Sequence, residues 1–258
     1  TPESKSKFYN SSDPTLTYTV TSGALVSGES LSGSLTRTAG ENAGTYQISQ
    51  GGVTNAANAN YNITFVSTPA VYLTIDPLAI GVTAANKTKV YDETPLADPS
   101  LTWSVTSGSL KTGDSLTGSL TRNAGEDVGT YAINQGTLGN SNYAISFTGG
   151  TFTITGKTQG SFNLSAASTT VNYQATTTLS TSGGLGSGAV TYTVTNVTGQ
   201  CTVSGTTLTG ARAGTCTVQA EKAAQGNYLA AESNVVTVTV ARVNQTITFA
   251  SIADRDFS

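Results

Sequence analysis

Apolar and polar residues alternate along most of the chain with a period of two, which is the pattern of a β-strand with one face turned to a core. Leu16, Tyr18 and Val20 fall on one side of such a strand, and Thr17, Thr19 and Thr21 on the other. The same alternation returns at 190–196, with Val190, Tyr192 and Val194 against Thr191, Thr193 and Thr195. Glycine-containing turns such as TSG, SGES and TAGENAG separate the strands at short spacing, and no stretch carries apolar positions at helical spacing. The pattern predicts an all-β chain built as antiparallel sandwiches.

The pattern also repeats. Residues 15–51 and 100–136 are identical at 24 of 37 positions, at an offset of 85. The likeness extends outward: Lys5, Lys7 and Tyr9 correspond to Lys87, Lys89 and Tyr91, and Tyr61 and Phe65 to Tyr143 and Phe147. Each unit closes on a short apolar strand, Leu73 to Ile75 in one and Phe152 to Ile154 in the other. The expected domains are therefore 1–76, 77–156, a different β unit at 157–243, and the start of a further repeat at 244–258. The segment LAIGVTAAN before Lys87 reads as an opening strand, whereas only four residues stand before Lys5. The first unit is thus expected to lack its opening strand or to borrow one. Joints at Ile75-Asp76-Pro77-Leu78 and Val240-Ala241-Arg242-Val243 are short, which predicts an extended array of limited swing, stiffened at Pro77.

Composition narrows the function. Charged residues are 10% of 258, the net charge is −3, and no cluster of Lys or Arg appears, so nothing attracts nucleic acid. There is no His, which removes Ser-His-Asp and Cys-His nucleophile systems and His-ligated metals, and no paired-carboxylate arrangement replaces them; the chain is not expected to be an enzyme. No apolar run approaches the roughly 20 residues that span a bilayer, so no membrane contact is expected in this segment. A chain that opens on Thr1 reads as an excerpt, with any export signal or anchor outside it.

One local motif is diagnostic of a sandwich type. In ENAGTYQI (41–48) and EDVGTYAI (126–133) an acidic turn precedes Gly-Thr-Tyr and an inward aliphatic residue. That order marks the tyrosine corner of immunoglobulin sandwiches, in which the Tyr hydroxyl bonds back to the backbone. Tyr46 and Tyr131 are the candidates, with Ile48 and Ile133 at the positions where antibody domains carry Cys. Arg37 with Glu41, and Arg122 with Glu126, are expected to pair across the same turn. The recurring acids Glu29 and Asp114, Glu41 and Glu126, and Asp13 and Asp98 serve as turn formers; calcium at Glu126-Asp127 or Asp92-Glu93 is the other reading, but no calcium-loop spacing supports it. Trp103 replaces Tyr18 on the inward face, a core position more than a sugar-stacking platform.

The run KxYD, DPxLTW, GDSLTGSLTRxAGExxGTYAI, NYxIxF and FTI resembles the MBG repeats, a mostly bacterial immunoglobulin-like family. Both units carry it across residues 1–155, and the first departs from it where Asn10 follows Tyr9 in place of an acid. The stretch from Gly199 through Ala241, with its Gly-Thr-Cys-Thr-Val strand and Asn-Tyr loop, resembles bacterial immunoglobulin-like domains of the Big type. The resemblance implies a stalk or spacer segment of a large secreted or cell-surface bacterial adhesin, located outside the cell. Its partners would be neighbouring domains of the same chain. A module that itself binds an exopolysaccharide, glycan or host matrix protein is the rival. No cofactor is called for. Cys201 and Cys216 flank a turn-rich segment, and in a secreted domain a disulfide between them is expected over two buried thiols.

Overall fold

The structure is a computed structural model and describes residues 1–93 and 98–250. Among the described residues every element is a β-strand, numbered β1 to β20 along the chain. The chain separates into two units: one comprises Thr1–Lys87, Pro99–Gly125 and Thr130–Thr153, the other Thr88–Asp98, Glu126–Gly129 and Ile154–Ser258. The division runs through the second repeat.

The first repeat lies within the first unit. Its sheet runs β1 (Lys5–Phe8), β4 (Tyr72–Asp76), β3 (Gly44–Ser49) and β2 (Thr36–Arg37). β1 runs parallel to β4, with Lys5 opposite Leu73, and the other pairs are antiparallel. The inward residues Leu35, Ile48, Val53 and Leu73 form the core, and Leu16, Tyr18, Leu31, Ile63 and Phe65 pack against it.

The second repeat forms two sheets. β5 (Leu78–Ala84) lies between β10 (Tyr143–Thr148), to which it is parallel, and β7 (Trp103–Ser107). The other sheet runs β6 (Lys87–Val90), β11 (Gly150–Thr155), β9 (Gly129–Asn134) and β8 (Thr121–Arg122). Ile80, Val82 and Ala84 of β5 point inward, none more than 5% exposed. Trp103 is half-buried on β7, opposite Ala84.

In the first repeat the alternation of residues 15–21 does not give a strand, and Tyr18 makes only an isolated bridge to Pro2. The reason is a missing neighbour. Pro2 opposite Tyr18 corresponds to Ala84 opposite Trp103, and the Glu3 N–H donates to Thr17 O as the Ala85 N–H donates to Thr102 O. Among the described residues nothing stands where 78–83 stand in the second repeat, so the ladder that would hold 18–22 and 61–66 extended is absent. A groove of about 480 Å³ remains there, lined by Leu31, Leu35, Val53, Ile63 and Phe65 among others.

The third domain belongs to the second unit. One sheet runs β12 (Phe162–Ala166), β14 (Thr176–Gly183), β17 (Thr207–Arg212) and β16 (Gln200–Ser204). The other runs β13 (Thr170–Asn172), β20 (Val236–Ala241), β18 (Gly214–Lys222) and β15 (Val190–Asn196), with β19 (Ala231–Glu232) also on β18. Phe162, Leu164, Leu179 and Leu208 from the first sheet meet Val171, Val218, Val238 and Val240 from the second. A disulfide joins Cys201 on β16 to Cys216 on β18 across this core, with Cα atoms 6.2 Å apart. Cys216 follows Gly214-Thr215 and opposes Val238 on the last strand, as Tyr46 follows Gly44-Thr45 and opposes Leu73. The bond therefore stands where the MBG-like repeats carry their corner tyrosine. Residues 242–250 form no strand and leave Ile247 and Phe249 exposed, while 251–258, the rest of the expected further repeat, lie outside the described residues.

Reduction of this bond should lower the stability of the third domain by about 3 kcal/mol, the unfolded-state restriction expected for a loop of 15 residues. In denaturant titrations of the whole chain with and without reductant, only the third-domain transition should move; an equal shift in the repeats would contradict this assignment.

Candidate domain-joint interface

The expected corner residues build one turn in each repeat. The Tyr46 hydroxyl donates to the Asn42 carbonyl at 2.7 Å, and the Arg37 guanidinium lies 5.0 Å above the Tyr46 ring. Arg37 also donates to Gly40 O and Thr38 O and pairs with Asp13 and Glu41. In the second copy Arg122 donates to Gly125 O and Asn123 O and lies 5.4 Å above the Tyr131 ring. Gly40 and Gly125, both at φ 144°, are required because a Cβ at either would collide with the ring of the corner tyrosine.

A buried lysine organises the acids behind each turn. Lys7 Nζ lies 2.6 Å from Asp13 and 2.7 Å from Glu41. Lys89 Nζ lies within 3.1 Å of Asp92, Asp98 and Glu126. Five of the acids weighed as turn formers or calcium ligands thus converge on one or other ammonium, and among the described residues no group of His, Cys, Asp and Glu is arranged to hold a metal. Arg37 and then Lys7 hold the Asp13 carboxyl down at about 2, and Lys7 and Arg37 lower that of Glu41. Lys89 is raised because its three carboxylate partners outweigh the cost of burial, the largest opposing effect.

The outer side of the turn carries a second function that the sequence did not announce. The Ala43 N–H, next to the corner, donates to Asn142 Oδ1 of the following repeat at 2.8 Å, and Asn142 Nδ2 donates to Asn42 Oδ1 at 3.1 Å. The neighbouring Tyr143 packs edge-to-face on Tyr9, ring centroids 5.6 Å apart. Both tyrosine hydroxyls donate to Asp114 Oδ2, at 2.8 Å from Tyr9 and 2.6 Å from Tyr143. Tyr9 is 4% exposed in consequence.

The second joint repeats this chemistry. The Val128 N–H donates to Asn227 Oδ1 at 2.7 Å, and Asn227 Nδ2 donates to Asp127 Oδ1 at 2.8 Å. Tyr228 packs edge-to-face on Tyr91 at 5.9 Å and donates to Glu93. Each joint therefore takes an Asn-Tyr dipeptide into a receptor made of one tyrosine and one turn. The tyrosine is placed identically: the Tyr9 N–H donates to Asp76 O and the Tyr91 N–H to Thr155 O, each at the end of the domain's last strand. The correspondence of Tyr9 with Tyr91 and the Asn-Tyr loop were visible in the sequence; that they meet was not.

Family comparison agrees with the two-fold repetition. The MBG domain (YGX type) matches residues 1–69 and again 80–153. The chain belongs to the MBG domain family. Among curated proteins nothing matches it. Among solved structures, the crystal structure of murine CEACAM1b is similar at 15% identity with a TM-score of 0.25, over 45% of this chain and 59% of that one. The chain thus spans less than two thirds of that protein, and the likeness carries no argument. The joints lie between the two MBG repeats and between the second MBG repeat and the third domain.

Two expectations follow. Asn142→Ala and Asn227→Ala should each weaken their own joint by about 1–2 kcal/mol, since a backbone N–H and a side-chain acceptor lose partners, and should leave the sandwiches folded. Amide hydrogen exchange at Ala43 or Val128 measures this; unchanged exchange would contradict it.

The first joint should also depend on pH at both ends. Tyr143 and then Tyr9 lower the Asp114 carboxyl, so the contact is complete above the ordinary carboxylate range near 4 and is lost as pH falls through the depressed value. Tyr9, chiefly through Asp114, and Tyr143, through burial and then Asp114, are raised, so the contact is complete below about 10 and lost as pH rises beyond. Tyrosine absorbance titration should show both hydroxyls ionising late, and Asp114→Asn should remove the acid limb.

Proposed function

We propose that this chain is a structural stalk or spacer in a large extracellular bacterial protein of the adhesin kind, projecting a separate binding domain from the cell. The observation that carries the reading is the joint. The same Asn-Tyr contact closes it whether the downstream domain is an MBG repeat or the third, Big-like domain, so what recurs is a connector and not a ligand site. Modular domains that each contact their neighbour allow length to grow without a larger core. The cross-core disulfide supports an oxidising, extracellular location. The mechanism is mechanical, and its partners are the adjoining domains.

Single-molecule pulling of the chain should give separate unfolding events for its domains, and scattering should show that the Asn142→Ala, Asn227→Ala double variant samples a wider range of arrangements than the parent. A screen of glycans and matrix proteins should give no specific hit. A specific hit would favour the binding module and overturn the spacer as the sole role.

A further inference from the structure

The third domain leaves one long sheet edge open within its own complete fold. In the sheet β13, β20, β18 and β15, the last strand, Val190–Asn196, has β18 on one side and, among the described residues, no strand on the other. It is seven residues long, and among the described residues no other strand at the edge of a sheet is as long. Neither end of the sequence creates this edge, because β15 pairs with β18 along its whole length and the sheets on both sides of the core are built.

The ladder fixes which backbone groups are spare. The Ala223 N–H donates to Ala189 O and the Val197 N–H to Thr215 O, so the hydrogen-bonded pairs with β18 fall at Thr191, Thr193 and Thr195. The N–H and C=O groups of Val190, Tyr192 and Val194 therefore point out of the sheet edge, and among the described residues nothing bonds them there.

An open edge ordinarily carries a charge or a proline that keeps other strands off it. The four-stranded sheets of the two repeats follow this rule: Lys5 and Lys7 stand on β1, Arg37 on β2, Lys87 and Lys89 on β6, and Arg122 on β8. β15 reads VTYTVTN and has neither. Its Val190, Tyr192 and Val194 pack against the core, while Thr191, Thr193 and Thr195 are exposed.

We infer that this edge is a self-association surface, and that its occupant is β15 of a second copy of this chain, antiparallel about a two-fold axis at Tyr192. That register partners every spare group: Tyr192 faces its own counterpart and Val190 faces Val194 of the second copy, each pair exchanging both N–H···O bonds. On the core face Val meets Val and Tyr meets Tyr, and on the outer face Thr191 meets Thr193 of the second copy, all favourable cross-strand neighbours. Charge does not oppose the pairing, since Glu221, on β18 opposite Thr191, is separated from its counterpart by both edge strands. The contact differs in kind from the Asn-Tyr joints. Both strands are already extended and held by β18, so little backbone is newly ordered, and hydrogen bonds run along the strand in place of a single dipeptide. The pairing does not rest on the spacer reading; a spacer gives it a use, because copies held side by side meet at raised effective concentration.

The test is sedimentation of the whole chain from about 10 μM to about 1 mM, with amide hydrogen exchange measured over the same range. The chain should pass from monomer to dimer, and protection at the Val190, Tyr192 and Val194 amides should rise about fivefold as their N–H groups gain partners. Thr191→Lys with Thr193→Lys, both at exposed positions, sets lysines of the two copies opposite each other; it should abolish the dimer and leave the melting of the third domain unchanged. Thr191→Glu with Thr193→Glu should likewise stay monomeric alone, and an equal mixture of the two variants should dimerise. A chain still monomeric at about 1 mM would overturn the inference. So would a dimer that persists in the lysine variant, or one in which those amides stay unprotected. Growth beyond the dimer would overturn the two-fold register, because pairing about that axis uses up the edge.

Discussion

The parallel pairing of an early short strand with the last strand of its own domain is the constraint on which the joints depend. β1 on β4 and β13 on β20 bring a residue from the domain's beginning to the point where the chain leaves it. That residue is a tyrosine, and its N–H is fixed to the final carbonyl of the exit strand. At the first joint β4 ends at Asp76 and β5 begins at Leu78, so the receptor and the connection to the next domain are neighbours. The turn that completes the receptor is held from inside by the corner tyrosine and Arg37 and from behind by Lys7, which pairs with both Asp13 and Glu41. A side chain buried for stability thereby fixes an N–H aimed outward.

The magnitudes suit such an arrangement. One edge-to-face aromatic pair contributes about 1 kcal/mol, and each hydrogen bond about as much. Two separate proteins would scarcely associate on that basis. Within one chain, the short connection raises the effective concentration to the millimolar range or above, and a contact of a few kcal/mol then keeps the joint closed most of the time. The proposed spacer role would be served by this balance, because a joint much stronger than its domains would transmit load to the cores, and one much weaker would hinge freely.

Much of the fold was legible because the signals are local. The period-two alternation, the glycine turns and the 85-residue offset each belong to a strand, a turn or a repeat. The strand expected at 15–21 failed because strand formation is not local: Leu16, Tyr18 and Val20 have the right alternation but no neighbour on the β5 side to complete a ladder. The corner residues Tyr46, Arg37 and Glu41 were visible through a compact motif, and so were the two cysteines. The joint was not. Asn42 and Asn142, or Asp127 and Asn227, lie 100 residues apart, are common in loops, and acquire meaning only when an exit strand and a neighbouring domain bring them together.

The third domain shows which parts of this design are separable. Its sequence departs from the MBG pattern, and its corner tyrosine is replaced by Cys216, so the closure of the sandwich has changed from a hydrogen bond on a turn to a covalent bond across the core. Its Asn227-Tyr228 nevertheless docks on Tyr91 and the Asp127-Val128 turn as Asn142-Tyr143 docks on Tyr9 and the Asn42-Ala43 turn. What holds a domain together and what joins it to its neighbour are therefore independent. The joint needs only one exposed dipeptide downstream and one strand end and turn upstream, which imposes no condition on how the downstream core is packed. Domains of different kinds can follow one another in a single chain, so long as each presents an Asn-Tyr at one end and a strand-end tyrosine at the other.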